Sequence, residues 1–249
     1  MIELDHVHLT LAGREILRDV SLVIDKGEVA TIMGLSGCGK TSTLRLMMGL
    51  AQPTQGRVVI AGQDISAMRE RDLNSVRRQM GMVFQYAALF DSLSVWENVA
   101  FGLLRQRKKK FTRDQIDATV HEKLEAVGLE GVEKLFPAEL SGGMQKRVGM
   151  ARALALSPQI VLYDEPTSGL DPVRATTIDD LIVQLRDRFG VTSVVVSHDV
   201  QSAMRISNKI AMLYNGTVIA SGTPEEIQSD ANPVVKQFIG GLSDGPITD

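Results

Sequence analysis

Two short, uninterrupted apolar runs, Gln159–Tyr163 (QIVLY) and Thr192–Val196 (TSVVV), constrain this chain most. A strand that alternates can leave one face in water, but a continuous run must be covered on both faces, as in a parallel sheet flanked by helices. Val173–Arg188, between the two runs, is a predicted helix, so this part of the chain reads as a βα pattern. The N-terminal part also reads as strands. Val7, Leu9 and Leu11 alternate with polar residues, and Val20–Ile24 and Glu28–Met33 are predicted strands joined by a Lys26-Gly27 turn. Thr41–Leu50 has helical spacing, while Arg57–Ala61 and Met80–Phe84 are predicted strands.

From Ser94 to about Ser157 the pattern turns helical, with helices predicted over Val95–Leu104 and Arg113–Val127 and with Gly128 closing the second. Ile210–Tyr214 and Thr217–Ala220 flank Asn215-Gly216, a hairpin signal. Thr223-Pro224-Glu225-Glu226 supplies a cap, a first-turn proline and two acids for a short helix. Gly240, Gly241, Gly245 and Pro246 predict an irregular tail.

The chain has 249 residues, which favours one domain with subdomains over two independent domains. A net charge of −3 argues against bulk nucleic-acid binding. A single cysteine, Cys38, excludes an internal disulfide framework and fits a reducing compartment. The N-terminal MIELDHVHLT has neither the basic start nor the apolar run of a signal peptide. No apolar run approaches the roughly 18–20 residues needed to span a bilayer, so work at a membrane requires a partner that spans it.

Gly34–Thr41, GLSGCGKT, matches the phosphate-loop pattern between a predicted strand and a predicted helix. Gly37 and Gly39 let backbone N–H groups approach phosphate oxygens, Lys40 reaches the β- and γ-phosphates, and the Thr41 hydroxyl is a Mg²⁺ ligand. Cys38 reads as a small loop filler with no redox role. Asp164 and Glu165 follow QIVLY and emerge at the carboxyl end of a buried strand, where such sheets bind ligands. Asp164 is placed to hold Mg²⁺ through water, and Glu165 to polarise a water attacking the γ-phosphate. The alternative is an acidic pair that caps a strand.

His198 follows the next apolar strand and would contact the γ-phosphate or orient Glu165 and the water. Gln85 follows Met80–Phe84 and offers a neutral amide that ligates Mg²⁺ weakly. Ser141, Gly142 and Gly143, within LSGGM, open another helix, whose N-terminal N–H groups favour an anion. They read either as an ordinary serine cap followed by Gly-Gly or as a lid on the γ-phosphate of a second chain. Asp171, in SGLD, is a candidate for contacts between the two sites.

In this order and spacing, GLSGCGKT, Gln85, LSGGM, IVLYDEP, SGLD and SHD resemble the nucleotide-binding subunit of an ABC transporter over nearly the whole chain. The resemblance implies an α/β fold: a P-loop NTPase (RecA-like) core with an N-terminal antiparallel β subdomain and an inserted α-helical subdomain. It implies a single ATPase domain over 1–249. Residues 1–85 and 158–222 form the core with its β subdomain, 86–157 the helical subdomain, and 223–249 a C-terminal helix and tail. It also implies ATP and Mg²⁺ as ligands, an ATP-sandwich dimer with a second copy, and nucleotide contacts from Leu11, Gly34, Ser36, Gly37, Cys38, Gly39, Lys40, Thr41, Ser42, Gln85, Ser141, Gly142, Gly143 and Asp171.

Two positions depart from the family. Met144 replaces the usual glutamine of the signature. Leu11 stands where an aromatic usually stacks on the adenine, and no Phe, Tyr or Trp precedes Phe84. Backbone phosphate contacts survive the first change; the second points to relaxed base selectivity.

Residues 84–104 are expected to receive a multi-spanning membrane permease, or in part to fill the helical subdomain's own core. ALFDSLSVWENVAF, LSGGM and the ending VKQFIGGLSDGPI resemble the ATPases of MCE-associated, Mla-type lipid transporters. That resemblance implies phospholipid transport, an MCE-type substrate-binding partner and a peripheral position on the cytoplasmic face of the inner membrane. The alternatives are the ATPase of a small-solute importer, such as one for amino acids, a soluble ABC ATPase, and a P-loop kinase. The one basic run, Arg105–Lys110 (RQRKKK), reads as a solvated loop or as a contact for anionic lipid headgroups.

Overall fold

The computed structural model describes residues 1–106 and 111–248. In chain order, β1 (Ile2–Leu11), β2 (Arg14–Ile24) and β3 (Val29–Met33) lead to α1 (Lys40–Met47). β4 (Gln55–Ile60), β5 (Gln63–Asp64), α2 (Glu70–Arg77) and β6 (Met80–Val83) follow. Next come α3 (Val95–Leu104), α4 (Arg113–Ala126), α5 (Gly142–Leu154), β7 (Ile160–Asp164) and α6 (Pro172–Phe189). Then come β8 (Thr192–Ser197), α7 (Val200–Ile206), β9 (Lys209–Tyr214), β10 (Thr217–Gly222), α8 (Pro224–Gln228) and α9 (Pro233–Gly240). The chain divides into two compact units, Met1–Arg77 with Thr192–Asp249, and Arg78–Val191.

The first unit holds an antiparallel sheet ordered β2-β1-β4-β5 and the strands β10-β9-β3-β8. The Lys26-Gly27 turn passes the chain from one sheet to the other and does not close a hairpin: β2 pairs with β1, whereas β3 runs parallel to both β8 and β9. All five residues of β3 and all six of β8 are buried, the apolar majority of β3 and the Val194–Val196 run of β8 together with Thr31, Thr192, Ser193 and Ser197. Several polar groups along these strands have partners, whereas the buried Ser193 hydroxyl of β8 has none among the described residues. Thr192 Oγ1 accepts from Gly27 N at 3.0 Å, Asn208 Oδ1 accepts from Val29 N at 2.9 Å, and Thr31 and Ser207 share a hydroxyl bond of 2.6 Å.

The predicted hairpin is present: β9 and β10 are antiparallel and turn through Asn215 and Gly216, both left-handed at φ 47° and 80°. The α1 helix ends earlier than its periodicity predicts, because Leu50 N and Ala51 N both turn back to Arg45 O. The tail beyond α9 is irregular but anchored. The Gln237 amide, only 6% exposed, donates to Leu242 O and Ile247 O and accepts from Ile247 N at 2.7 Å.

The second unit is built around α5. β6 and β7 are parallel, with Val83 opposite Tyr163. A Cβ at Gly81 would collide with the Ala153 carbonyl, so glycine at this position lets α5 lie close against β6. α3 occupies the predicted bounds and carries a Ser94/Glu97 capping box. Fully buried Asn98 donates to Phe90 O, Leu93 O and Ser94 O and accepts from Phe90 N, pinning the segment before α3. From α5, the Arg152 guanidinium donates to Ala88 O and Ala87 O, each at 2.7 Å. Both alanines are left-handed, at φ 58° and 46°. Of the RQRKKK run, residues 107–110 lie outside the described residues; Arg105 packs its guanidinium 3.9 Å from the centre of the Phe101 ring.

Two outcomes test these anchors. Gln237→Ala is expected to lower stability by about 1–3 kcal/mol and to speed exopeptidase trimming of residues 242–248, read by urea melts and mass spectrometry. Arg152→Gln is expected to cost a similar amount, about 1–3 kcal/mol, with faster hydrogen exchange confined to residues 85–90.

Candidate functional site

In the first unit the phosphate loop leaves the end of β3. Gly34 takes φ 150°, and a Cβ there would collide with the backbone carbonyl of Leu213, so only glycine fits this bend beside β9. Gly39 caps α1 without a side-chain bond, leaving the helix N-terminus to backbone N–H groups. Lys40 is 7% exposed and curls over the loop, its Nζ donating to Gly34 O at 2.8 Å and Leu35 O at 3.0 Å. Ser36, Gly37 and Thr41 are exposed, Ser42 is half-buried and Cys38 is buried. The loop thus presents a lysine ammonium, two hydroxyls and a glycine-lined backbone, which is a phosphate-binding chemistry.

β3 and β8 are parallel with Met33 opposite Ser197, so the phosphate loop and exposed His198 leave the sheet at the same edge. Asp199, the next residue, caps α7 by accepting from Ser202 N at 3.1 Å. Beside the loop lies a cleft of about 460 Å³ lined by Arg14, Ile16 and Arg18 of β2, by Ser36, Gly37 and Cys38, and by Tyr214–Gly216 of the β9–β10 turn. Leu11 is absent from that lining and stands 40% exposed at the end of β1. The aromatic the cleft does contain, Tyr214, comes from far along the chain, where spacing to the phosphate loop gives no signal.

In the second unit the parallel register of β6 and β7 delivers Gln85 and Glu165 from neighbouring strand ends. Asp164 and Glu165 are half-buried. Glu165 is left-handed at φ 49°, a conformation costly for a non-glycine residue and often found at functional positions. Gln85 Nε2 donates to Ser168 Oγ at 3.1 Å. Lys146 of α5, 7% exposed, donates to Pro166 O at 2.6 Å and Ser168 O at 2.7 Å. Burial pushes its ammonium below the ordinary lysine value, and the nearby Glu165 carboxylate pulls it back up.

Sequence reasoning missed Lys146, since a lysine within a helical pattern gives no sign that it points inward. Ser141 caps α5, accepting from Met144 N at 3.3 Å, and the first-turn glycines Gly142 and Gly143 have open space around them. Asp171 caps α6, accepting from Arg174 N at 3.1 Å, and pairs with the Arg174 guanidinium at 3.2 Å.

In the first unit Thr41 carries a hydroxyl, and in the second Gln85 carries an amide and Asp164 a carboxylate, each a hard oxygen donor of the kind Mg²⁺ takes. Among the described residues there is no cluster of three or more His, Cys, Asp or Glu that would hold a metal by itself. Gln85 and Asp164, at neighbouring strand ends of the second unit, supply two such oxygen donors and leave other coordination positions to be filled by ligands such as water or phosphate oxygens.

The sequence profile of the ABC transporter family matches residues 17–168. The intermembrane phospholipid transport system ATP-binding protein MlaF of Escherichia coli K12 is 40% identical over 247 residues, spanning 99% of this chain and 91% of its own. The probable ribonucleotide transport ATP-binding protein mkl of Mycobacterium bovis is also 40% identical, over 99% of this chain and 68% of its own. Among solved structures, the dimeric post-hydrolysis state of the ATP-binding cassette MJ0796, bound to ADP and Pi, has a TM-score of 0.81 at 33% identity, covering 90% of this chain and 99% of that one. cbiO1 from Clostridium perfringens, part of the ABC transporter complex cbiONQ, has a TM-score of 0.86 at 28% identity, covering 92% and 90%. With motifs, fold and relatives in agreement, the chain belongs to the ABC transporter family, as one of its ATPase subunits.

Proposed function

We propose that this ATPase powers phospholipid transport through a separate membrane-spanning permease, working as a dimer in which each chain completes the other's nucleotide site. The reading of the cargo is carried by the 40% identity with MlaF over 99% of the chain. The likeness to mkl, equally high, is the specific observation that favours a second reading, a different cargo on the same engine. No helix among the described residues is long and apolar enough to cross a membrane; the position on the cytoplasmic face of the inner membrane rests on the likeness to ATP-binding subunits of transport systems.

The chemistry we assign to each residue rests on its type, on the motif that carries it and on the family. Lys40 and the backbone of Gly34–Gly39, with Ser36 and Ser42, bind the phosphates. Thr41, Gln85 and Asp164 would hold Mg²⁺, which would supply charge neutralisation to the nucleotide phosphates. Glu165 takes a proton from the attacking water; the new P–O bond forms as the bond to the β-phosphate oxygen breaks, and the electron pair leaves with ADP. His198 contacts the γ-phosphate. Ser141, Gly142 and Gly143 of the second copy close over it with backbone N–H groups, and Asp171 lies in the segment linking the two sites. Leu11, exposed and outside the phosphate-loop cleft, is assigned apolar contact to the base on the family resemblance alone.

Within residues 84–104, Val95, Val99, Ala100 and Leu103 are buried, whereas Phe84, Tyr86, Phe90 and Leu104 are 42–84% exposed. This exposed set is the surface offered to the permease, and an MCE-type protein is the substrate-binding partner.

Glu165→Gln is expected to keep ATP binding, lose at least about a hundredfold in turnover and accumulate as a closed dimer by size-exclusion chromatography; near wild-type hydrolysis removes Glu165 as the base. Ser141→Arg is expected to lose about 10²–10³ in turnover with nucleotide binding intact, and full activity would sink the second-copy site. Co-purification with a permease and a membrane-anchored MCE protein supports the lipid reading; a solute-binding protein in its place supports the other.

A further inference from the structure

The turn that follows Glu165 is held from α5. Ser168 N bonds back to Glu165 O at 3.2 Å and Leu170 N to Thr167 O at 3.2 Å, closing a tight turn with buried Thr167 at its centre. Two of the turn's carbonyls, Pro166 O and Ser168 O, converge on the single ammonium of Lys146. The Ser168 hydroxyl is taken by Gln85. Ser141, five residues before Lys146, is the cap of the same helix. One buried cation therefore joins the helix that begins at the signature to the turn that begins at Glu165.

We propose that Lys146 is a positioning residue for Glu165: by binding Pro166 O and Ser168 O it locks the turn that keeps Glu165 left-handed and its carboxylate aimed, and it makes α5 and that turn move as one piece. The proposal rests on Glu165 being the base. A lysine suits the task because its ammonium donates three hydrogen bonds from a compact head, and charge-assisted bonds to carbonyls are stronger than neutral ones. An apolar residue here would leave two carbonyls without their donor. The nucleotide-binding groups of Gly34–Thr41 belong to other elements, so loss of Lys146 acts on turnover and leaves ATP affinity alone.

Lys146→Met, Lys146→Gln and Lys146→Arg are compared with wild type in the full-length protein, each also in a Glu165→Gln background, by steady-state and single-turnover ATP hydrolysis, ATP binding and thermal melting. Lys146→Met is expected to lower kcat by about ten- to a hundredfold with KM and ATP binding unchanged, Lys146→Arg to recover part of the loss, and Lys146→Gln to fall between. In the Glu165→Gln background the same substitution is expected to change the residual single-turnover rate by less than about twofold, because groups acting through one another are not additive.

Where Lys146→Met fails to fold, Lys146→Gln, which keeps amide donors, carries the comparison. A kcat within about twofold of wild type, a rise in KM alone, or an equal loss in the Glu165→Gln background overturns the proposal. Near wild-type hydrolysis by Glu165→Gln alone overturns the assignment of the base instead.

Discussion

Complete burial of β3 is the constraint from which the placement of the functional groups follows. A strand covered on both faces carries no chemistry along its length, because every side chain it projects is committed to packing. Reactive groups must gather where such strands stop. The pairing of Met33 with Ser197 sets the phosphate loop and His198 at one edge, and the pairing of Val83 with Tyr163 does the same for Gln85 and Glu165. Glycine at position 34 completes this logic, since the loop leaving β3 must bend at once against the Leu213 carbonyl.

The second unit solves a different problem, that of holding irregular backbone still. Loops after strand ends carry carbonyls with no ladder partner, and burying one without a donor costs about 1–3 kcal/mol. Here two cations of α5 meet that need. Lys146 serves the turn after Glu165, and Arg152 serves Ala87 and Ala88 after Gln85. The two residues are six apart, a rotation of roughly 240° about the helix axis, so α5 grips separate segments on different sides. Both cations are desolvated enough to hold their protons less firmly than in water.

Much of this was legible in the sequence because local chemistry and global fold agree. Ser94 and Glu97 announce α3, Asn215-Gly216 the hairpin, and unbroken apolar runs the parallel strands. α2 escaped notice because only Leu73 and Val76 of its eight residues are buried, too few to set a period. The Lys26-Gly27 turn looked like any strand connection, since nothing local distinguishes a hairpin from a passage between sheets. Lys146, Arg152 and Gln237 were illegible for a shared reason. Each is a polar residue in a helix whose side chain serves backbone carbonyls, and periodicity counts such residues as solvent-facing. Tyr214 enters the phosphate-loop cleft through strand order, which spacing along the chain does not encode.

The left-handed backbone of Glu165 sets stability against chemistry at a single position. Glycine adopts that conformation without steric penalty and asparagine does so more readily than glutamate, yet neither is a base. A population of this protein selected only for resistance to heat would therefore drift at position 165 toward residues that relax the turn and, on the role proposed for Glu165, lack a base. On the proposed role of Glu165, keeping a base at this position forgoes that local gain in folding.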